Sequence, residues 1–220
     1  AFALAEAIGD RQRASRACHV AEDALLHLGA AFTGPVWTSP EAVQWVERMD
    51  RCAAPETVER VRADVMTGRA RCNKGELREG LALMRRAVDL ARRLGDNDTI
   101  WWAAVVWFQW AFAPQHAGER LHLAEELMAS SRAGVRRISL STGLFHAALI
   151  LLDWGQRQRA EEAWREYREM AGQASSAYGL IGLALFNGVR ATIDGRLEEA
   201  GQTAPVSYTH LRAHETVLDL

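Results

Sequence analysis

Lysine occurs once in the 220 residues, at Lys74, and that scarcity removes a whole class of chemistry. A phosphate-binding P-loop needs G-x-x-x-x-G-K-[ST], because backbone amides cradle the phosphates while the lysine reaches their outer oxygens. Lys74 stands in Cys-Asn-Lys-Gly, and the glycine-bearing stretch from Gly29 to Pro35 has no lysine after it and reads as a helix connector. Cysteine is nearly as sparse. Cys18, Cys52 and Cys72 are odd in number, lack C-x-x-C spacing and sit in helical patterns as small apolar residues, which implies a reduced, cytoplasmic setting.

Charge of one sign is also missing. A net charge of -2 and a pI near 6.4 leave no basic field to draw the chain to nucleic acid, so no direct nucleic-acid partner is expected. The most apolar run, Ile100 to Ala113, is shorter than the roughly 18 residues that cross a bilayer and contains Gln109, so no membrane span or membrane partner is expected. Ala1 to Ile8 carry no basic leader or cleavage motif and read as the end of a helix, which gives the expectation that the chain starts inside a domain.

What the sequence does contain is a large apolar fraction, 49%, arranged with helical spacing. Ala14, Cys18, Ala21, Leu25 and Leu28 form one amphipathic stripe, closed by Gly29. Ser39-Pro40-Glu41 supplies a cap, a first-turn proline and a first-turn acid for a helix to about Arg51, and Pro55 with Glu56 opens another. That helix carries Val58, Val61, Val65, Gly68 and Cys72 on one face; the next carries Leu77, Leu81, Met84, Val88 and Ala91. Further helices are predicted over 97–113, 118–131, 139–154, 157–172 and 176–194, and no segment alternates as a strand does.

The helices repeat. Gly75, Gly155 and Gly195 each follow one helix and precede another, separated by eighty and then forty residues. Seven residues before each lies a small residue (Gly68, Ala148, Gly188) and five after lies another (Gly80, Ala160, Ala200), where paired helices must approach closely. The missing unit centres on Gln115 and is degenerate, with Phe108 and Arg120 at its small positions. This spacing resembles the tetratricopeptide repeat, with Trp164 on its aromatic position, although a forty-residue period exceeds the usual length of about 34. The fold expected is all-α, an antiparallel helix-hairpin solenoid.

Catalytic and metal motifs are weak. Glu119 and His122 form one Glu-x-x-His where a di-iron bundle would need two, and His19, His27, His116 and His146 are scattered without metal spacing. No serine, cysteine or threonine stands in a nucleophile motif, and Glu125-Glu126 and Glu161-Glu162 belong to solvated faces. The arginine pairs Arg85-Arg86 and Arg92-Arg93 lie opposite their helix's apolar stripe and read as solvation. No catalytic residue, cofactor or metal is expected.

The helix with Trp101, Trp102, Trp107, Phe108, Trp110 and Phe112 is apolar around nearly its whole circumference. It is either a central helix packed on both sides or one that exposes Trp102, Gln109 and Phe112 to a partner. If first helices line an inner surface as in tetratricopeptide arrays, the candidate binding groove comprises Arg62, Arg69, Asn73, Trp102, Gln109 and Phe145.

Leu4-Ala-Glu-Ala-Ile-Gly-Asp10, Leu90-Ala-Arg-Arg-Leu-Gly-Asp96, Asp194-Gly-Arg-Leu-Glu-Glu-Ala200 and Ala113-Pro-Gln-His-Ala-Gly-Glu-Arg-Leu121 resemble the helical-repeat region of large bacterial signalling ATPases. In that family a P-loop ATPase module precedes the repeats, sometimes with an adenylate cyclase domain in front or a LuxR-type helix-turn-helix behind. The resemblance implies a scaffold that binds a protein partner or small effector and contacts an ATPase module of the parent protein. A free-standing adaptor and an unrecognised helical-bundle enzyme are the alternatives.

Residues 206–216, Val-Ser-Tyr-Thr-His-Leu-Arg-Ala-His-Glu-Thr, look like the translation of a Nextera-type transposase sequencing adapter. The expected organisation is therefore a repeat fragment over 1–204 and an adapter-derived tail over 205–220. His210 and His214, spaced as a metal pair on a helix would be, fall in that tail.

Overall fold

The structure is a computed structural model and describes residues 1–25, 37–173 and 177–203. His27, Leu28 and the Gly29 stop, the start at Ser176, and the tail with His210 and His214 lie outside the described residues. Among the described residues the chain is all-helical, without a strand. The helices are α1 (Phe2–Ala7), α2 (Arg11–Leu25), α3 (Pro40–Cys52), α4 (Val58–Asn73), α5 (Leu77–Leu94), α6 (Asn97–Trp110), α7 (Ala117–Ala129), α8 (Arg137–Asp153), α9 (Arg157–Gln173) and α10 (Ala177–Ile193).

The starts follow from capping chemistry. Ser39 Oγ accepts from the Ala42 amide at 3.2 Å, with Pro40 in the first turn, as its sequence predicts. The next helix differs from expectation: it begins at Val58, because Thr57 Oγ1 takes the Arg60 amide (3.2 Å) and Glu56 turns to φ +53°, a conformation that excludes it from a helix. Asp96 caps α6 through the Thr99 amide at 2.8 Å.

The chain divides into two compact units, Ala1–Arg120 with Ser130–Leu140, and Leu121–Ala129 with the residues from Ser141 onward. In the first, α1 packs on α2, α2 on α3, and α3 on α4; α4, α5 and α6 then pack mutually. Three sides of α4 are thereby covered, which is why its buried residues run continuously from Val61 to Met66 instead of forming the single stripe its apolar spacing suggests. In the second unit α9 packs on α10, where Trp164 stacks on Phe186 (centroids 4.0 Å apart) and on Tyr167 (5.0 Å).

One turn recurs across both units. At Gly75 the amide donates to Cys72 O (3.0 Å) while the Glu76 amide reaches back to Arg71 O (3.0 Å), the paired bonds of a left-handed helix stop. Gly155 and Gln156 make the same two bonds to Leu152 and Leu151, and Gly195 and Arg196 make them to Thr192 and Ala191. Gly9 and Asp10 repeat them to Glu6 and Ala5, a turn outside the forty-residue register that the sequence reading passed over. All four glycines have φ between +72° and +87°, where a side chain is strained. Near Gln115 the connection is instead a short 3-10 turn, Pro114–His116.

The small residues flanking Gly75 bring α4 and α5 backbone to backbone. A Cβ on Gly68 would lie 2.7 Å from Gly80 O, and one on Gly80 would lie 2.6 Å from Gly68 O and collide with Cys72 Sγ. Alanine gains about 1 kcal/mol over glycine in an open helix, but overpacking against backbone that cannot yield costs about 1–3 kcal/mol. Gly68→Ala and Gly80→Ala should therefore each lower the urea midpoint, whereas Gly118→Ala, with nothing near its added methyl, should leave it unchanged or slightly raised.

Candidate functional site

Of the candidate groove, Arg62, Arg69, Asn73, Trp102 and Gln109 all lie in the first unit. Arg62 and Arg69 stand two turns apart on α4 and both are buried; Asn73 and Gln109 are half-buried. Trp102 is only 4% exposed, which makes it part of the core, while Phe112 stands exposed beneath the Arg120 guanidinium, 5.2 Å from its ring centre. Phe145 belongs to the second unit, buried beside Tyr167 at 5.9 Å. The six residues thus come from α4, α6 and α8, and neighbouring helices cover Arg62, Arg69, Trp102 and Phe145.

Burial of Arg62 demands compensation, and the structure supplies it in a ring of polar and charged side chains that spacing alone does not reveal. Arg62 Nη1 reaches Glu22 Oε2 (3.3 Å) and Nη2 reaches Asp98 Oδ2 (3.2 Å). Asp98 Oδ2 accepts from Arg136 Nε (2.7 Å), and Arg136 Nη1 donates to Asp23 Oδ1 (2.9 Å). His19 sits between the two acids, 3.6 Å from Asp23 and 3.5 Å from Glu22, with its Nδ1 3.1 Å from Arg62 Nη1. The ring joins α2, α4, α6 and the start of α8. Its one trace in the sequence is the pair of adjacent acids, Glu22 and Asp23, beside the apolar stripe of α2.

Asp98 is the best-served member. Its Oδ1 takes the Arg136 amide (3.0 Å) and the Ser139 hydroxyl (2.8 Å), so the carboxylate caps the positive end of α8. Burial pushes the carboxyl up, but the Ser139 hydroxyl together with the Arg136 amide and guanidinium outweighs it and holds the group below its ordinary value. Glu22 is less well served: it is 1% exposed, and its Oε1 accepts no hydrogen bond. Arg69 lies over the Trp37 ring at 4.3 Å, and its burial depresses its pKa to about 10 despite the nearby Glu22.

The remaining motifs resolve into packing and pairing. Arg85 grips Glu119 (2.5 and 2.8 Å), Arg86 forms a fork with the buried Asp64 (2.7 Å to each oxygen), Arg92 meets Asp89 (3.0 Å) and Arg93 meets Glu56 (3.3 Å), so the arginine pairs face acids. His116 sits edge-on to Trp107. Burial raises the Cys18 thiol to about 12 and Cys72 to about 11, and it raises Cys52 as well, which keeps all three from acting as thiolates at neutral pH. Among the described residues no three His, Cys, Asp or Glu side chains gather as metal ligands, and no helix is long and apolar enough to cross a membrane.

No protein family, curated protein or solved structure matches the chain.

Two measurements check this account. Trp102→Ala should cost about 3–5 kcal/mol as a core truncation, read as a lowered urea midpoint, while Gln109→Ala stays within about 1 kcal/mol; equal, small effects would place Trp102 on an accessible surface. The Asp98 carboxylate, with its folded pKa below the unfolded value of about 3.9, contributes its full stabilisation above that pH and loses it as pH falls through the folded value. Asp98→Asn should therefore destabilise the fold at pH 7, and its deficit relative to the parent chain should shrink in unfolding series run below about pH 4.

Proposed function

We propose that this chain is a non-catalytic helical-repeat scaffold, a tetratricopeptide-like solenoid of antiparallel hairpins with a period near forty residues, whose role is to bind a protein or small effector. The observation that carries the reading is the recurring turn. Gly9, Gly75, Gly155 and Gly195 share the same two backbone bonds, and each is followed five residues later by a small residue, Ala14, Gly80, Ala160 or Ala200. A unit reused in this way serves a surface better than a single reaction centre, because each hairpin needs its neighbours to cover it and together they build an extended face.

The family resemblance extends the reading. By it, the repeats are the sensory or regulatory arm of a bacterial ATP-dependent transcriptional regulator or cyclase-linked ATPase in the cytoplasm. Effector binding to the repeats would shift the neighbouring ATPase module through a difference in affinity between two conformations.

The test is the genomic DNA ahead of the Ala1 codon. An in-frame P-loop module there is the expected result. A start codon directly before Ala1 would overturn the regulatory reading in favour of a free-standing adaptor.

A further inference from the structure

The α1–α2 hairpin carries two stripes that face one groove. On α1 and the residues flanking it these are Leu4, Ala5 and Ile8; on α2 they are Ala17, Val20, Ala21 and Ala24, with Phe2 and Trp45 of α3 also in the lining. The groove encloses about 650 Å³ and its carbon surface lies in the open: Leu4 is 69% exposed, Ile8 61% and Val20 68%. Such residues at helical spacing are ordinarily covered. A small molecule would be poorly enclosed here, since ligand pockets typically bury about 70–90% of their occupant.

Two observations indicate what covers it. The hairpin α4–α5, bounded by the same glycine turn, has α3 packed along one helix and α6 along both, so helices are what this architecture lays on such faces. The alanine floor of Ala17, Ala21 and Ala24 admits another helix closely, with Leu4, Ile8 and Val20 as ridges for it to interlock with. The side-chain charges in the lining are also of one sign: among the described residues Arg13 and Arg16 border it and no acid does. Arg13 already contacts Asp10 at 3.3 Å, whereas Arg16 has no acidic partner among the described residues.

We propose that this groove docks an amphipathic helix from a protein partner, with apolar residues at i, i+3 or i+4, and i+7 in the groove and acidic residues opposite Arg13 and Arg16. The inference rests on the scaffold reading and names its class of partner. The docking assay and the genomic test read different things, so either can fail while the other stands.

The test uses the full 220-residue chain and a fluorescein-labelled peptide of about four helical turns, leucine on one face and glutamate beside it, read by anisotropy. Saturable binding is expected. It should weaken at least about tenfold when the glutamates become lysines, and by a similar factor in the Arg13→Glu/Arg16→Glu variant, which should in turn prefer the lysine peptide. Val20→Glu and Leu4→Glu, both at exposed positions and checked for unchanged helical signal, should abolish binding. Absence of binding by the glutamate peptide, or equal binding of both peptides, overturns the proposal. So does sedimentation of the free chain as a dimer that Leu4→Glu dissociates, because the groove would then belong to a second copy.

Discussion

A hairpin of two amphipathic helices has two apolar faces and can cover neither by itself, and the architecture of the first unit follows from that constraint. The α4–α5 pair satisfies it by contact so close that Gly68 and Gly80 leave no room for a methyl group, and by accepting α3 and α6 as covers. The price is a helix, α4, buried on its polar positions as well. Arg62 and Asp64 are carried inside with the valines, and each then dictates partners: Glu22 and Asp98 on neighbouring helices for the first, Arg86 on α5 together with Arg60 one turn back on α4 for the second. Buried charges of this kind add little net stability, but a mispaired arrangement would leave one of them uncompensated, so they favour a single register of α2, α4 and α6.

The same constraint separates what is structural from what is available to a partner. Trp102, Arg62 and Arg69 are occupied in holding helices together, whereas Leu4, Ile8 and Val20 are apolar side chains that stand largely exposed. On the proposed reading, the recognition surface is the uncovered face of α1–α2, where these side chains stand.

The helical class and most helix positions were legible because apolar spacing and caps are local: Ser39-Pro40-Glu41 and the glycines at 75, 155 and 195 do in the structure what their chemistry requires. Thr57 displaced Pro55-Glu56 as a starting point because a hydroxyl facing the right amide outweighs a proline two residues earlier. The charge ring was not legible, since it joins residues as distant as Asp23 and Arg136, and pairing across such separations leaves no periodic trace. The groove residues suffered for a related reason. Sequence periodicity says which residues share a face; only the neighbouring helices decide whether that face meets solvent.

The central claim is that hairpins are the units of this fold and that α4–α6 form its best-covered part. Native-state hydrogen exchange tests it most directly. The account predicts that amides of α4, α5 and α6 open last and together, with α1 and the start of α2 opening at a distinctly lower free energy as a separate unit. A single opening energy shared by every helix of the first unit, or slowest exchange in α1–α2, would contradict it.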